Sequence, residues 1–324
     1  MELERFKPYL ANLFFIWLAV IIYRNLTYYQ NFLSQRTQFA LLFLAILYSV
    51  IGLLYYSYLF FSNKKPIAES NGLLALRAIS KFQNAEKREK VSLLFLLVKF
   101  FFTPIMLNFC FSNLNALNSQ SEKIFSISAL NISTFNNILF PLILSIIFLL
   151  DTAYFTFGYL FESKHLSNKI RSVEPTLLGW SAALICYPPF NTQLNNVVNW
   201  YANDHINLST PLNTFFLRIG IIILLVIYLS ATIALGTKSS NLTNRGIVSR
   251  GPYSIVRHPA YVSKNLAWWL TILPIMSIPA AVSMATWSII YHIRTLTEET
   301  HLLQDPEYVE YCKKVKYRYI PGVY

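Results

Sequence analysis

The sequence predicts an all-α membrane protein, a polytopic transmembrane helical bundle that ends in a C-terminal helical hairpin. Three observations lead there. Of 324 residues, 55% are hydrophobic and only 13% are charged, about half the charge of an ordinary soluble domain. The apolar residues fall in long blocks; the stretch 38–62 opens QFALLFLAILYSVIGLLYYSYLFF and carries no charge. Basic residues are rich and poor in alternate loops, as a chain that crosses a membrane repeatedly requires.

About 20 apolar residues cover the ~30 Å hydrocarbon layer, and a backbone in lipid must bond to itself, so these blocks are expected to be helices. A β-barrel would need alternating polarity, which is missing here. Spans are expected near 9–29, 38–62, 91–113, 137–161, 176–190 and 213–235, with a hairpin over 265–293. The segment 176–190, TLLGWSAALICYPPF, is short for a crossing and reads as a short span or a re-entrant piece. Loop 63–90 holds Lys64, Lys65, Arg77, Lys81, Lys87, Arg88 and Lys90, whereas 114–136 holds only Lys123. Loop 162–175 holds Lys164, Lys169 and Arg171, and 191–212 has no Lys or Arg, which favours a crossing at 176–190. Basic residues return at 236–264 and in the tail. The positive-inside rule then places both termini in the cytoplasm. Within 63–90, Leu74, Ala78, Ile79, Lys81 and Phe82 form a basic amphipathic pattern suited to the headgroup surface.

The net charge of +12 would suggest nucleic acid in a soluble protein. Here it sits in the loops and follows topology, so no nucleic-acid partner is expected. Cys110, Cys186 and Cys312 form no CxxC pair, so no metal site or disulfide framework is signalled. The nine glycines form no G-x-G turn of a soluble dinucleotide fold. Asp151 lies inside an apolar run, where a carboxylate is costly; it either serves function or bonds a neighbouring helix. Arg218 and Lys99 lie near span ends and are expected to snorkel.

Chemistry concentrates in 241–269, NLTNRGIVSRGPYSIVRHPAYVSKNLAWW. Gly246 and Gly251 permit unusual backbone angles. Pro252 and Pro259 lack an N–H and bias the preceding residue away from helix. This turn-rich strip carries Tyr253, Arg257, His258 and Tyr261. A second element, TLTEETHLL, holds Glu298 and Glu299, with Arg294 four residues before Glu298 on one helical face. A carboxylate can bind ribose hydroxyls or an amino group, Arg can fork a carboxylate, and aromatic rings can face a sulfonium. The set suits a small zwitterionic ligand; a His-Pro turn among aromatics suits an interfacial anchor equally.

RGPYSIVRHPAYVSKN followed by EETHLLQDPEYVEYCKKVKYRYIPGVY resembles the isoprenylcysteine carboxyl methyltransferase family, in the wider group of membrane methyltransferases that includes phospholipid N-methyltransferases. The resemblance covers roughly 236–324. It divides the chain into membrane helices with a basic cytoplasmic loop (1–212) and a methyltransferase-like catalytic region (213–324). It implies a cytoplasm-facing cavity for S-adenosylmethionine lined by Arg245, Gly246, Ile247, Val248, Tyr253, His258, Pro259, Ala260 and Tyr261, with Glu298 and Glu299 from the far end of the hairpin. It implies catalytic places for Arg294, which would bind the acceptor, and for His258. The acceptor implied is lipid-like, the other partners being membrane lipids. One departure is Ser263, where the family often has Gly. A sterol-type membrane reductase using NADPH has a similar Arg-His-Pro turn and tail, and a non-catalytic scaffold or transporter is the third reading. The Glu298–Glu299 pair favours the methyltransferase.

Overall fold

The computed structural model describes residues 2–62 and 70–323. Its helices run α1 (Glu2–Asn25), α2 (Thr27–Phe32), α3 (Gln35–Phe61), α4 (Asn71–Lys81), α5 (Lys87–Glu122), α6 (Ile132–Thr134), α7 (Phe140–Leu160), α8 (Leu177–Leu184), α9 (Phe190–Asn195), α10 (Pro211–Leu235), α11 (Pro259–Ile272), α12 (Ile278–Leu302) and α13 (Pro306–Lys314). The two short strands among the described residues, β1 (Ser172–Val173) and β2 (Thr243–Asn244), pair antiparallel. Among the described residues five helices are long and apolar enough to cross a membrane: Arg5–Asn25, Gln35–Phe61, Lys87–Phe125, Ile132–Leu160 and Pro211–Lys238. The protein is an all-α integral membrane protein.

The chain forms two compact units, 1–108 and 109–324, with the boundary inside α5. In the first, α1 packs on α3 through polar contacts set among apolar residues. Tyr9 Oη donates to the Ser49 carbonyl at 2.8 Å, and Trp17 Nε1 donates to Ser49 Oγ at 3.1 Å. Phe39, Phe43, Val50 and Leu54 of α3 stay exposed, as lipid-facing positions should. Ser70 caps α4 and also donates to Asn12, whose Oδ1 accepts from the Gly72 amide. The small residues Gly72, Ala75 and Ala78 are the buried ones of α4, while Ile79 and Phe82 are exposed. Lys64 and Lys65 of the basic loop lie outside the described residues.

In the second unit α7 and α10 run parallel. Asn136, just before α7, donates to the Pro211 carbonyl at 2.9 Å. Halfway along, Asp151 accepts from Tyr228 at 2.6 Å and Thr232 at 2.7 Å. Beyond both helices, Asn168 donates to the Thr237 carbonyl at 3.1 Å. Phe140, Leu144, Ile147, Ile221 and Leu225 fill the seam between them. Asp151 therefore bonds a neighbouring helix.

Two parallel neighbours require the connection 161–210 to travel back through the same depth. It does so without a spanning helix: of the two readings of 176–190, a short span or a re-entrant piece, the short helical span is not formed, and before Phe190 only Leu177–Leu184 is regular α-helix. Helix α8 has eight residues, about 12 Å at 1.5 Å per residue. The rest of the return is short helix and irregular chain, tolerated at membrane depth where protein covers it. It runs antiparallel to α12. Ser172 bonds His301 near the end of α12, and Ser283, early in α12, donates to the Asn199 carbonyl. Trp200 packs edge-on against Trp268 and Trp287, at 4.8 and 5.2 Å. Arg218 pins the far end. It is 4% exposed, so it does not snorkel; it donates to the Asn136 carbonyl and to Asn207 Oδ1, the latter at 2.9 Å, and lies over the Phe140 ring.

Candidate active site

The expected hairpin is present as α11 and α12, joined by a turn whose Ser277 caps α12. Pro259 starts α11, its missing N–H costing nothing in a first turn. The strip before it is held from three sides. The β1–β2 pair extends through Arg171 N to Asn244 O and Glu174 N to Leu242 O, both 2.8 Å. Gly246 takes a φ of +95°, a backbone conformation that side chains with a Cβ rarely adopt, which favours glycine there. Helix α13 covers the strip with Tyr308 and Tyr311, against which Ile247 and Tyr253 pack. Tyr311 Oη donates to the Tyr253 carbonyl at 2.7 Å. Asp305 caps α13 and accepts from Asn244 and Arg171 at 2.8 and 3.0 Å.

The two adjacent carboxylates at the end of α12 face different partners. Glu299 is 6% exposed and gathers the turn, the helix and the tail. Arg257 Nε donates to its Oε1 at 2.7 Å, and His258 Nε2 lies 3.1 Å from the same oxygen. Arg318 donates to Oε2 through Nε at 2.9 Å and Nη2 at 2.6 Å. The backbone repeats the link, with Arg257 N to Tyr317 O and His258 N to Arg318 O at 2.9 and 3.0 Å. Burial would raise the Glu299 carboxyl, but His258, Arg318 and Arg257 together hold it well below the usual carboxylate range. Glu298 instead accepts from Tyr261 Oη at 2.6 Å. The Tyr261 ring stacks with His258 at 5.5 Å.

Arg294 lies one turn before Glu298. It is 8% exposed, and Nη2 donates to Asn241 Oδ1 at 2.5 Å. Its guanidinium carbon is 5.3 Å from the Tyr261 ring centroid and 5.7 Å from that of Tyr187. Despite their spacing, Arg294 and Glu298 form no ion pair among the described residues. The structure thus gathers His258, Tyr261, Arg294, Glu298 and Glu299 into one cluster, with Pro259 and Ala260 as the first turn of α11. Ala260 packs on the α7–α10 core. Ile247 and Tyr253 sit against α13, and Gly246 and Val248 flank Ile247 in the strip. Arg245 turns away to the end of α7, where Nη1 donates to the Gly158 carbonyl at 2.7 Å.

Three features were not foreseen. Arg257 and Arg318 complete the Glu299 cluster; the basic tail signalled charge but not this partner. Asn241 and Tyr187 surround Arg294, and nothing in local spacing marks either. His301 bonds Ser172 Oγ at 2.8 Å, with Glu174 3.9 Å from its other nitrogen. Burial pushes the His301 imidazole below its ordinary value, with Glu174 opposing.

No curated protein matches the chain. Residues 213–305, from the start of α10 to the cap of α13, match the family model for phospholipid methyltransferase. The cluster lies within the matched segment, and the phospholipid methyltransferase family is part of the membrane methyltransferase group that also includes the isoprenylcysteine carboxyl methyltransferases.

Proposed function

We propose that this membrane methyltransferase uses S-adenosylmethionine and methylates a lipid-like acceptor. The observation that carries the reading is the coincidence of two boundaries. The segment matched to phospholipid methyltransferases, 213–305, contains His258, Tyr261, Arg294, Glu298 and Glu299, which the fold brings to one place.

The donor set fits the cofactor. Glu298, bonded only to a tyrosine hydroxyl among the described residues, has lone pairs left for ribose hydroxyls or an amino group. Tyr253 and Ile247 offer apolar surface for a purine. Tyr261 offers a ring face toward a cation. When bound, S-adenosylmethionine supplies an electrophilic methyl group on sulfur. The chain's own residues then position and shield. Glu299 fixes the turn and the tail around the site. Arg294 orients an anionic part of the acceptor by charge-assisted hydrogen bonds. A carboxylate acceptor is already ionised at neutral pH, so it needs no strong base, and most of the rate comes from alignment. The cofactor enters from the cytoplasm and the acceptor from the bilayer, which accounts for a site built at the end of membrane helices.

The test is calorimetry on the purified full-length protein in detergent, with S-adenosylmethionine and NADPH in parallel. Saturable binding of S-adenosylmethionine alone is expected. Binding of NADPH alone transfers the assignment to a reductase, and binding of neither at millimolar concentration removes the enzymatic reading.

A further inference from the structure

Arg294 and Glu299 present opposite electrostatic situations five residues apart. At Glu299 two guanidiniums and an imidazole converge on one carboxylate. Arg294 is buried as deeply, yet no carboxylate lies within ion-pair distance of it among the described residues. Its hydrogen-bond partners are the neutral Asn241 amide and the Tyr187 side chain, and the Tyr261 ring lies against it. Glu298, the acid nearest on its own helix, is engaged by Tyr261. A buried cation without a counter-ion is costly, and a folded chain that keeps one is poised to receive an anion there.

Asn241 maintains this state. Its backbone N–H donates to Tyr159 Oη at 2.7 Å, its Nδ2 donates to Tyr187 Oη at 3.2 Å, and its Oδ1 accepts from Arg294. The backbone is held by Tyr159 and the side-chain amide at both ends, Nδ2 by Tyr187 and Oδ1 by the guanidinium. Tyr187 belongs to the irregular return segment, outside the residues matched to phospholipid methyltransferases.

We propose that Asn241 is a positioning residue that sets acceptor specificity. As a neutral amide it orients Arg294 without neutralising it. With Tyr187, it leaves the charge for an anionic group of the acceptor, a carboxylate or a phosphodiester. The proposal rests on the reading of Arg294 as the acceptor-binding residue. It assigns the return segment one wall of the acceptor site.

Replacing the amide with its isosteric acid tests the point, because Asn241→Asp inserts the missing counter-ion at the same place. Full-length wild type, Asn241→Asp and Asn241→Ala are compared in detergent with S-adenosylmethionine. Three long-chain acceptors are used: S-farnesylcysteine with its free carboxylate, phosphatidylethanolamine, and oleylamine, which brings no anion. Asn241→Asp is expected to unfold at a higher temperature than wild type and to bind S-adenosylmethionine with unchanged affinity. It should raise the KM of the anionic acceptor by roughly tenfold to a hundredfold, the range of one lost charge-assisted bond, and leave that of oleylamine alone. Asn241→Ala should unfold at a lower temperature and raise that KM less. Whether the carboxylate or the phosphodiester shows the effect identifies the anion. An acid variant that unfolds below wild type, or that keeps the KM of the anionic acceptor, overturns the proposal. The unfolding comparison requires no turnover. Failure of wild type to bind S-adenosylmethionine instead overturns the functional reading and leaves that comparison standing.

Discussion

Two neighbouring glutamates at the end of α12 illustrate how one helical step separates a structural carboxylate from the one we propose binds ligand. A rotation of about 100° per residue turns Glu299 toward the tail and Glu298 toward Tyr261. Glu299→Gln leaves Arg257 and Arg318 sharing a neutral partner, and breaking a buried ion pair costs about 3–5 kcal/mol. We expect a large drop in unfolding midpoint and release of the tail to protease. Glu298→Gln should leave the midpoint nearly unchanged and weaken S-adenosylmethionine about tenfold or more by calorimetry. Since the Glu299 carboxyl is held below its ordinary value, its contribution is fully present above about pH 4.3. It is lost only as pH falls through the lower folded value. The stability gap between wild type and Glu299→Gln should therefore persist from pH 8 down to pH 5, where the Arg257 and Arg318 pairs remain and His258 adds to them as it gains charge. A gap that closes within that window, or equal destabilisation by both substitutions, contradicts this division. The sequence shows both carboxylates; which one meets two arginines depends on a tail that returns from residues 315–318.

At the scale of elements, the return segment is the feature that hydropathy alone left open between a short span and a re-entrant piece. A window seeks a continuous apolar run, and this crossing is assembled from α8, α9 and irregular chain held by contacts to α12 and α10. Arg218 anchors its far end, with Nη2 bonds to Asn207 Oδ1 and the His205 carbonyl at 2.9 and 3.3 Å. Arg218→Met strands these acceptors, each at about 1–3 kcal/mol if buried. The expected result is a midpoint lowered by several degrees and new proteolysis within 191–210. An unchanged digestion pattern would mean that the tryptophan contacts with α11 and α12 suffice. The hairpin behaved otherwise: its apolar run marked it over 265–293, and it is present as α11 and α12, which extend beyond those bounds to Pro259 and Leu302.

For the whole molecule, orientation follows from charge joined to the parallel course of α7 and α10. Their shared end puts 162–175 and 236–264, both rich in Lys and Arg, on one face, and we propose that this face is cytoplasmic, together with the termini and the site. Reporter fusions at residue 75 and within 191–212 should give opposite signals, and matching signals would refute the map.

The sequence by itself determined the solvent and the fold class, and it marked the segments we propose for the chemistry. Long uncharged blocks permit only helices in lipid, and the strip 241–261 and the Glu298–Glu299 pair carry their chemistry in residue type and order. Tertiary structure alone decided that Glu299 is a latch, that Asn241 and Tyr187 surround Arg294, and that 161–210 re-crosses without a spanning helix. The reason is separation along the chain. Arg294 meets Asn241 across 53 residues and Asp151 meets Thr232 across 81. No periodicity encodes such pairs, which exist only once the helices have packed.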